Sequence, residues 1–355
     1  MTTRVIIVAI LALCAADGFA QLSAPKYSNE FLTIGVGARA LGMSNAQVAL
    51  TDDVYSGYWN PAGLLSIESD LQVSAMHAEY FAGVAKYDYG SIGKALDSTS
   101  AAAISIIRFG VDDIPNTTEL IDAEGNINYD RITSFSAADY AFILSYARLL
   151  KPNLRIGGNA KVIYRKVGDF ASAIGFGLDA SAQFSLDKWK FGVLARDVTS
   201  TFNAWSFNLD DRTKEVFLLT GNEIPENSVE VTLPRIILGV ARSFEFKNVV
   251  LNAEVDFDLT TDGKRNVLVS ADPVSVDPHL GLEAAYKGIL YLRAGVGNIQ
   301  KSTNDLEEVV FTVQPNLGVG LRIKQLSLDY ALTDIGDQSV ALYSNIFSLR
   351  FDIYK

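Results

Sequence analysis

Ile174-Gly175-Phe176-Gly177-Leu178-Asp179-Ala180-Ser181-Ala182-Gln183-Phe184-Ser185-Leu186 is the stretch that decides the fold. Ile174, Phe176, Leu178, Ala180, Ala182, Phe184 and Leu186 form one set, interleaved with Gly175, Gly177, Asp179, Ser181, Gln183 and Ser185. Successive strand side chains point to opposite faces, so this period of two describes a strand with one apolar and one polar side. The pattern recurs. Val249, Leu251, Ala253, Val255, Phe257 and Leu259 alternate with Asn252, Glu254, Asp256 and Asp258. Leu317, Val319, Leu321 and Ile323, then Leu326, Leu328, Tyr330 and Leu332, then Phe347, Leu349, Phe351 and Ile353 do the same.

Working outward gives fourteen candidate strands: 69–80, 84–92, 99–109, 135–149, 153–168, 172–186, 188–198, 231–246, 248–259, 279–287, 289–298, 312–323, 325–333 and 344–354. Several are long enough to cross a bilayer at a tilt, which takes about 9–11 residues. Those at 69–80, 84–92 and 231–246 alternate least. Turns at 150–153, 186–188, 246–248, 287–289 and 323–325 are short, whereas 110–134, 199–230, 260–278, 298–311 and 334–343 are long and polar. Short turns at one end and long loops at the other mark an outer-membrane barrel rather than a sandwich, whose strands run to about five or six residues. Tyr140, Tyr146, Tyr164, Trp189 and Tyr286 fall near strand ends, where an aromatic girdle belongs.

The expected fold is therefore an all-β transmembrane antiparallel barrel of about fourteen strands, residues 69–355, preceded by a plug over 21–68. Residues 1–20 read as a signal peptide: a basic start, an apolar run over Val5–Ala16, and Gly18-Phe19-Ala20 before cleavage. Cys14, the only cysteine, follows the bulky Leu13, which disfavours a lipoprotein signal. No run approaches the about 18 apolar residues of a membrane helix. A net charge of −11 spread along the chain argues against nucleic-acid binding.

If the apolar register meets lipid, Arg155, Lys161, Arg165, Asp179, Glu254, Asp256, Asp258, Glu283, Arg293, Arg322, Asp329 and Arg350 face the lumen. A base on the lipid face at mid-membrane costs about 2–4 kcal/mol, which fixes that register. Charges of both signs are expected to pair across neighbouring strands. Catalytic chemistry is hard to find: the two histidines, His77 and His279, lie on separate strands, and no cluster has metal-ligand spacing. No catalytic residue, metal or cofactor is expected.

Residues before the first strand do not alternate. Gly35, Gly37, Arg39, Gly42 and Met43 lie in one Gly- and Ala-rich run, followed by Asp52-Asp53 and by Trp59-Asn60-Pro61-Ala62-Gly63-Leu64. Such a piece can pack within a barrel mouth where bulky side chains would not fit. Asn60-Pro61 favours a turn start, and Arg39 can pair with Asp52, Asp53 or lumen charges. These residues resemble the N-terminus of PorV/PorQ proteins of the type IX secretion system, which are similar in architecture to FadL transporters. Ser44 stands where a second glycine would follow Met43.

The resemblance implies a fourteen-stranded barrel with an N-terminal hatch and a non-enzymatic role in the outer membrane of a Gram-negative cell. Implied partners are secreted cargo bearing C-terminal signal domains, a large translocon barrel or attachment-complex proteins, and outer-membrane lipids. Loops on a rigid scaffold carry recognition, so Asp112, Asp113, Phe202, Trp205 and Phe207 are the expected contact residues in the long loops. The alternative is a FadL-like transporter of hydrophobic small molecules, which needs an apolar pocket above the plug. A barrel enzyme acting on lipids would need Ser and His within reach of one another, and no such pair is evident.

Overall fold

The computed structural model describes residues 27–121, 125–303, 309–335 and 343–354. The expected signal peptide, 1–20, and the terminal Lys355 lie outside these. In chain order the strands are β1 (Leu71–Tyr80), β2 (Ala85–Asp97), β3 (Ser100–Asn116), β4 (Thr133–Lys151), β5 (Leu154–Val167), β6 (Ala171–Leu186), β7 (Trp189–Arg196) and β8 (Thr201–Phe207). They continue as β9 (Ser228–Thr232), β10 (Arg235–Glu245), β11 (Val249–Thr260), β12 (Ser275–Tyr286), β13 (Leu290–Thr303), β14 (Val309–Ile323), β15 (Leu326–Thr333) and β16 (Ser344–Ile353). Three helices are labelled: α1 (Ala38–Leu41), α2 (Ser56–Trp59) and α3 (Asp211–Leu219).

All pairings are antiparallel, and the β1–β16 and β5–β6 ladders close the sheet on itself. Closure pairs the wall strands on both sides, as a lipid that cannot hydrogen-bond requires, and among the described residues leaves only the short β9 paired on one side. β7 pairs with the 180–186 half of β6 and β8 with its 171–176 half, while β9 pairs with β8 and β10 with β7. β7–β8 and β9–β10 are thus two wall strands, each broken once, and the wall has fourteen. The first break falls at Asp197-Val198-Thr199-Ser200, where Asp197 and Ser200 adopt φ of 54° and 56°. The second falls at Leu233-Pro234, where proline supplies no ladder donor. This division, and polar Arg235 and Arg242 within the stretch, explain why 231–246 alternates weakly.

The two ends differ as expected. Turns at 98–99, 152–153, 187–188, 246–248, 287–289 and 324–325 share one end, and the chain leaves there after Ile353. The other end carries the long connections at 117–132, 208–227 and 261–274. Two of these are shorter as loops than the sequence suggested. β3 runs past 110 as far as Asn116, and the 199–230 stretch folds into β8, α3 and β9. Asp112 and Asp113 accordingly sit on β3, and Phe202, Trp205 and Phe207 on β8, not in loops. The β3–β4 ladder continues to Asn116 and Thr133 because an antiparallel pair keeps bonding wherever both chains offer a partner.

The outer surface is apolar around most of the wall: Ile104, Leu144, Ile174, Phe176, Leu292 and Phe347 are all more than half exposed. β1–β3 depart from this toward the long-loop end. There His77 faces outward beside Asp88 at 2.7 Å, and Arg108 lies 3.6 Å from the same carboxylate. Inside, the same strands are apolar: Met76, Tyr87, Tyr89 and Ile107 are buried against Phe31, Tyr55, Tyr58 and Trp59 of the N-terminal segment. Alternation is weak over 69–92 because the two faces exchange polarity there.

Candidate functional site

The N-terminal segment lies inside the barrel, and glycines of the wall let it approach. A Cβ on Gly192 would stand 2.4 Å from the Val48 carbonyl oxygen, and one on Gly295 would stand 2.2 Å from the Met43 carbonyl carbon. Both glycines lie a few residues from the short-turn ends of β7 and β13. The segment therefore crosses the lumen in its short-turn half rather than in the mouth, where the sequence suggested it would pack. Within the segment, Asn60 adopts extended backbone and its side-chain oxygen accepts from Ala62 N–H, which starts the 3-10 helix Pro61–Ser66. Its amide donates to the Val48 and Ala182 carbonyls. Trp59 Nε1 donates to Val36 and the Tyr58 hydroxyl to Leu32. Ser44, in the place of the expected glycine, has φ 53°, the region where glycine carries no Cβ penalty.

The charged residues named from sequence do two jobs. Arg39 joins Asp52 at 2.6 Å and forks onto Glu283 at 2.9 and 3.0 Å. Glu283 also receives Arg293, which reaches Asp329 at 2.6 Å, and Arg350 reaches Asp53 at 2.6 Å. Lys161 sits between Asp179 and Asp197, at 2.7 and 2.6 Å. Arg165 forks onto Asp139, Asp258 holds Arg235, and Arg155 donates to Ser66. Arg322 is the outlying member: it is exposed near the short-turn end, 3.5 Å from Asp352. The sequence expectation was pairing of opposite charges across neighbouring strands; Lys161 with Asp179, Arg165 with Asp139, Arg235 with Asp258 and Arg293 with Glu283 are placed so, whereas Arg350 reaches the N-terminal segment and Arg155 a hydroxyl.

Glu254 and Asp256 do not. Asp256 accepts the backbone N–H groups of Gln47 and Val48 at 2.9 and 3.0 Å, and Glu254 those of Ala49 and Leu50 at 2.5 and 3.2 Å. Two fully buried carboxylates thus cradle four consecutive amides, and the unpartnered Asp256 Oδ1 converges over Gly239 with the Glu254 Oε1 that accepts Ala49 N–H. Sequence reasoning missed this. The available signal was a pair of inward acids, two apart on one strand, with no lysine or arginine at a facing position; His279 alone stands opposite, across from Asp256.

Two cavities flank the segment, and no described residue lines both. The one toward the short turns, about 300 Å³, is bounded by Arg39, Asp52, Glu283, Arg293 and Arg350. The vestibule toward the mouth, about 770 Å³, has an aromatic side from Phe31, Tyr58, Trp59 and Tyr80, and a polar side including Asp256, Asp277 and His279. His279, one of the two histidines noted in the sequence, therefore faces the lumen. His77 faces outward.

A third pocket of about 850 Å³ opens at the mouth itself. Phe135 of β4, Phe170 of the β5–β6 turn and Trp205 and Phe207 of β8 form its apolar wall, and α3 contributes Thr213 and Phe217. Phe135 and Phe170 pack edge to face at 5.1 Å; Trp205 and Phe207 stack at 6.1 Å. Asp210 caps α3 through Thr213 N–H at 2.7 Å, and the side-chain and backbone bonds from Thr213 hold its carboxyl below the usual carboxylate range. Of the expected contact residues, Trp205 and Phe207 come together here. Phe202 points outward, and Asp112 pairs with Lys86 at 3.3 Å on the outer face of β2–β3.

No protein-family model matches the chain, and no curated protein matches it. Solved structures do. The toluene transporter TodX of P. putida superposes with a TM-score of 0.57 at 12% identity, covering 90% of this chain and 99% of that one. The toluene transporter TbuX of Ralstonia pickettii gives 0.52 at 11%, covering 90% and 99%, and a FadL homologue of Pseudomonas aeruginosa gives 0.53 at 13%, covering 90% and 98%. Identity this low speaks for the fold, and the likeness of residues 35–64 to PorV/PorQ proteins rests on sequence alone. On architecture, the chain is a FadL-like barrel of fourteen strands.

Proposed function

We propose that this protein is a non-enzymatic outer-membrane barrel that binds hydrophobic small molecules at its mouth and passes them inward. The observation that carries the reading is the apolar pocket of about 850 Å³ walled by Phe135, Phe170, Trp205, Phe207 and Phe217. A concave, mostly apolar pocket with few polar groups is the general form of a small-molecule site. The wall of exposed aliphatic and aromatic residues supports placement in the outer membrane, with the long loops outward. The structural neighbours include two toluene transporters, which supports the same reading. The N-terminal segment would act as the plug, fastened by Arg39, Asp53, Glu254 and Asp256.

The test is uptake of a labelled apolar solute into vesicles carrying the full chain, compared with Trp205→Ala and Phe207→Ala. A loss of uptake in both variants, with the barrel folded, supports the reading; unchanged uptake refutes it.

A second reading keeps the type IX secretion role. It is favoured by the run Gly35–Leu64, with Asp52-Asp53 and Trp59-Asn60-Pro61-Ala62-Gly63-Leu64. Its test is a pull-down from solubilised outer membranes. Capture of a very large barrel, or of cargo sharing a C-terminal domain, would favour it over transport.

A further inference from the structure

We infer that the mouth pocket selects uncharged apolar molecules and rejects carboxylates, with Glu230 as the residue that sets this selectivity. The inference rests on the proposed binding of hydrophobic molecules and names their chemical class.

Among the described residues lining the pocket, Glu230 is the only charged one. No lysine, arginine or histidine stands in that lining to receive an acid head group. The cation that Glu230 meets is Arg165, and it is already committed. Its guanidinium forks onto Asp139 at 2.8 and 3.1 Å, reaches Glu230 at 3.3 Å, and lies 5.0 Å from the Trp205 ring centroid. One cation facing two carboxylates leaves the floor with an excess of one negative charge. Glu230 is itself held in place: Trp205 Nε1 donates to it at 2.7 Å and the Ser28 hydroxyl at 2.5 Å. These bonds fix the carboxylate against the pocket, so it cannot swing away from an incoming acid.

An acid entering this pocket would lose water from its carboxylate and gain no counter-ion, beside a like charge. An alcohol or a hydrocarbon of the same length buries the same apolar area without either cost. In a site of intermediate dielectric, one like charge near contact weakens binding by roughly tenfold or more.

The experiment uses the full chain in lipid nanodiscs at neutral pH, titrated with a bromine-tipped medium-chain fatty acid and with the matching bromine-tipped alcohol. Bromine quenches nearby tryptophan, and Trp205→Phe identifies the part of the signal that comes from the pocket rather than from Trp59 or Trp189. The expected result is quenching by the alcohol at concentrations roughly tenfold or more below those the acid needs. Glu230→Gln should narrow that gap, and Asp139→Asn, which lowers the same negative charge from the other side of Arg165, should narrow it too. Equal quenching by acid and alcohol in the unmodified protein would overturn the selectivity while leaving hydrophobic binding intact. Absence of Trp205 quenching by either probe would instead overturn the binding reading itself. A gap that persists unchanged in both variants would remove Glu230 and its charge from the explanation.

Discussion

Replacing Asp256 by alanine tests whether the buried acid pair holds the N-terminal segment in place. In the native chain Asp256 accepts Gln47 and Val48 N–H, and Glu254 accepts Ala49 and Leu50 N–H, all four amides belonging to residues at most 3% exposed. Asp256→Ala strands two amides, at about 1–3 kcal/mol each. Part is returned, because the carboxylate oxygens of Asp256 and Glu254 converge over Gly239 and one of them is removed. The net expectation is a loss of about 2–4 kcal/mol from the closed state. Asp256→Asn keeps an acceptor oxygen and should cost less than about 1 kcal/mol. The assay is thiol labelling of Val48→Cys in a chain whose only cysteine, Cys14, has been changed to alanine. Val48 is fully buried, so labelling reports opening of the segment. A loss of about 3 kcal/mol should speed labelling by roughly a hundredfold. Unchanged labelling in Asp256→Ala would refute the cradle, as would equal acceleration by alanine and asparagine, since only the former removes the acceptor.

Other expectations follow from packing, charge and lipid contact. Gly295→Val should prevent correct seating of the segment, because its Cβ would fall 2.2 Å from Met43 backbone, whereas Gly90→Val, whose Cβ would meet nothing closer than 3.6 Å, should fold normally by heat-modifiability on a gel. Leu292→Arg, on the lipid face, should destabilise the barrel by about 2–4 kcal/mol in refolding titrations, and a neutral result would contradict the assigned register. In the loop over 261–274, burial alone would raise the Asp262 carboxyl, but the bond and charge of Arg265 outweigh it and hold the group below the usual carboxylate range. A depressed carboxylate stabilises above its unfolded pKa and loses that contribution as pH falls through the folded value. Hydrogen exchange in this loop should therefore quicken, beyond its intrinsic pH dependence, only once pH drops below the ordinary aspartate range, and Asp262→Asn should abolish that change.

Strand number, closure and the difference between the two ends were legible because each lipid-crossing strand must present apolar atoms outward at every second residue. That rule is local, and Ile174–Leu186 obeys it without help from any other part of the chain. The polarity of the lumen was legible only in part. Glu283 and Arg293 read as lumen charges and Arg39 as a charge of the segment, and the folded chain joins all three. Phe31, Tyr58 and Trp59 read as a compact segment, but the face of β1–β3 they cover, with Tyr87 and Tyr89, became intelligible only when both were in place.

The expected contact residues show the limit most plainly. Trp205 and Phe207 stood out as aromatic residues in a supposed loop, yet what they do depends on a strand break at 197–200 that re-registers β8 against β6. Only the folded chain brings them to Phe135 and Phe170, more than thirty positions earlier. The sequence by itself determined the barrel, since alternation follows from a bilayer on one side and a filled lumen on the other. The tertiary structure alone decided which buried acids meet amides rather than bases, and which aromatic residues share a pocket. Those outcomes depend on how distant strands are placed around a closed wall, and no spacing along the chain encodes that.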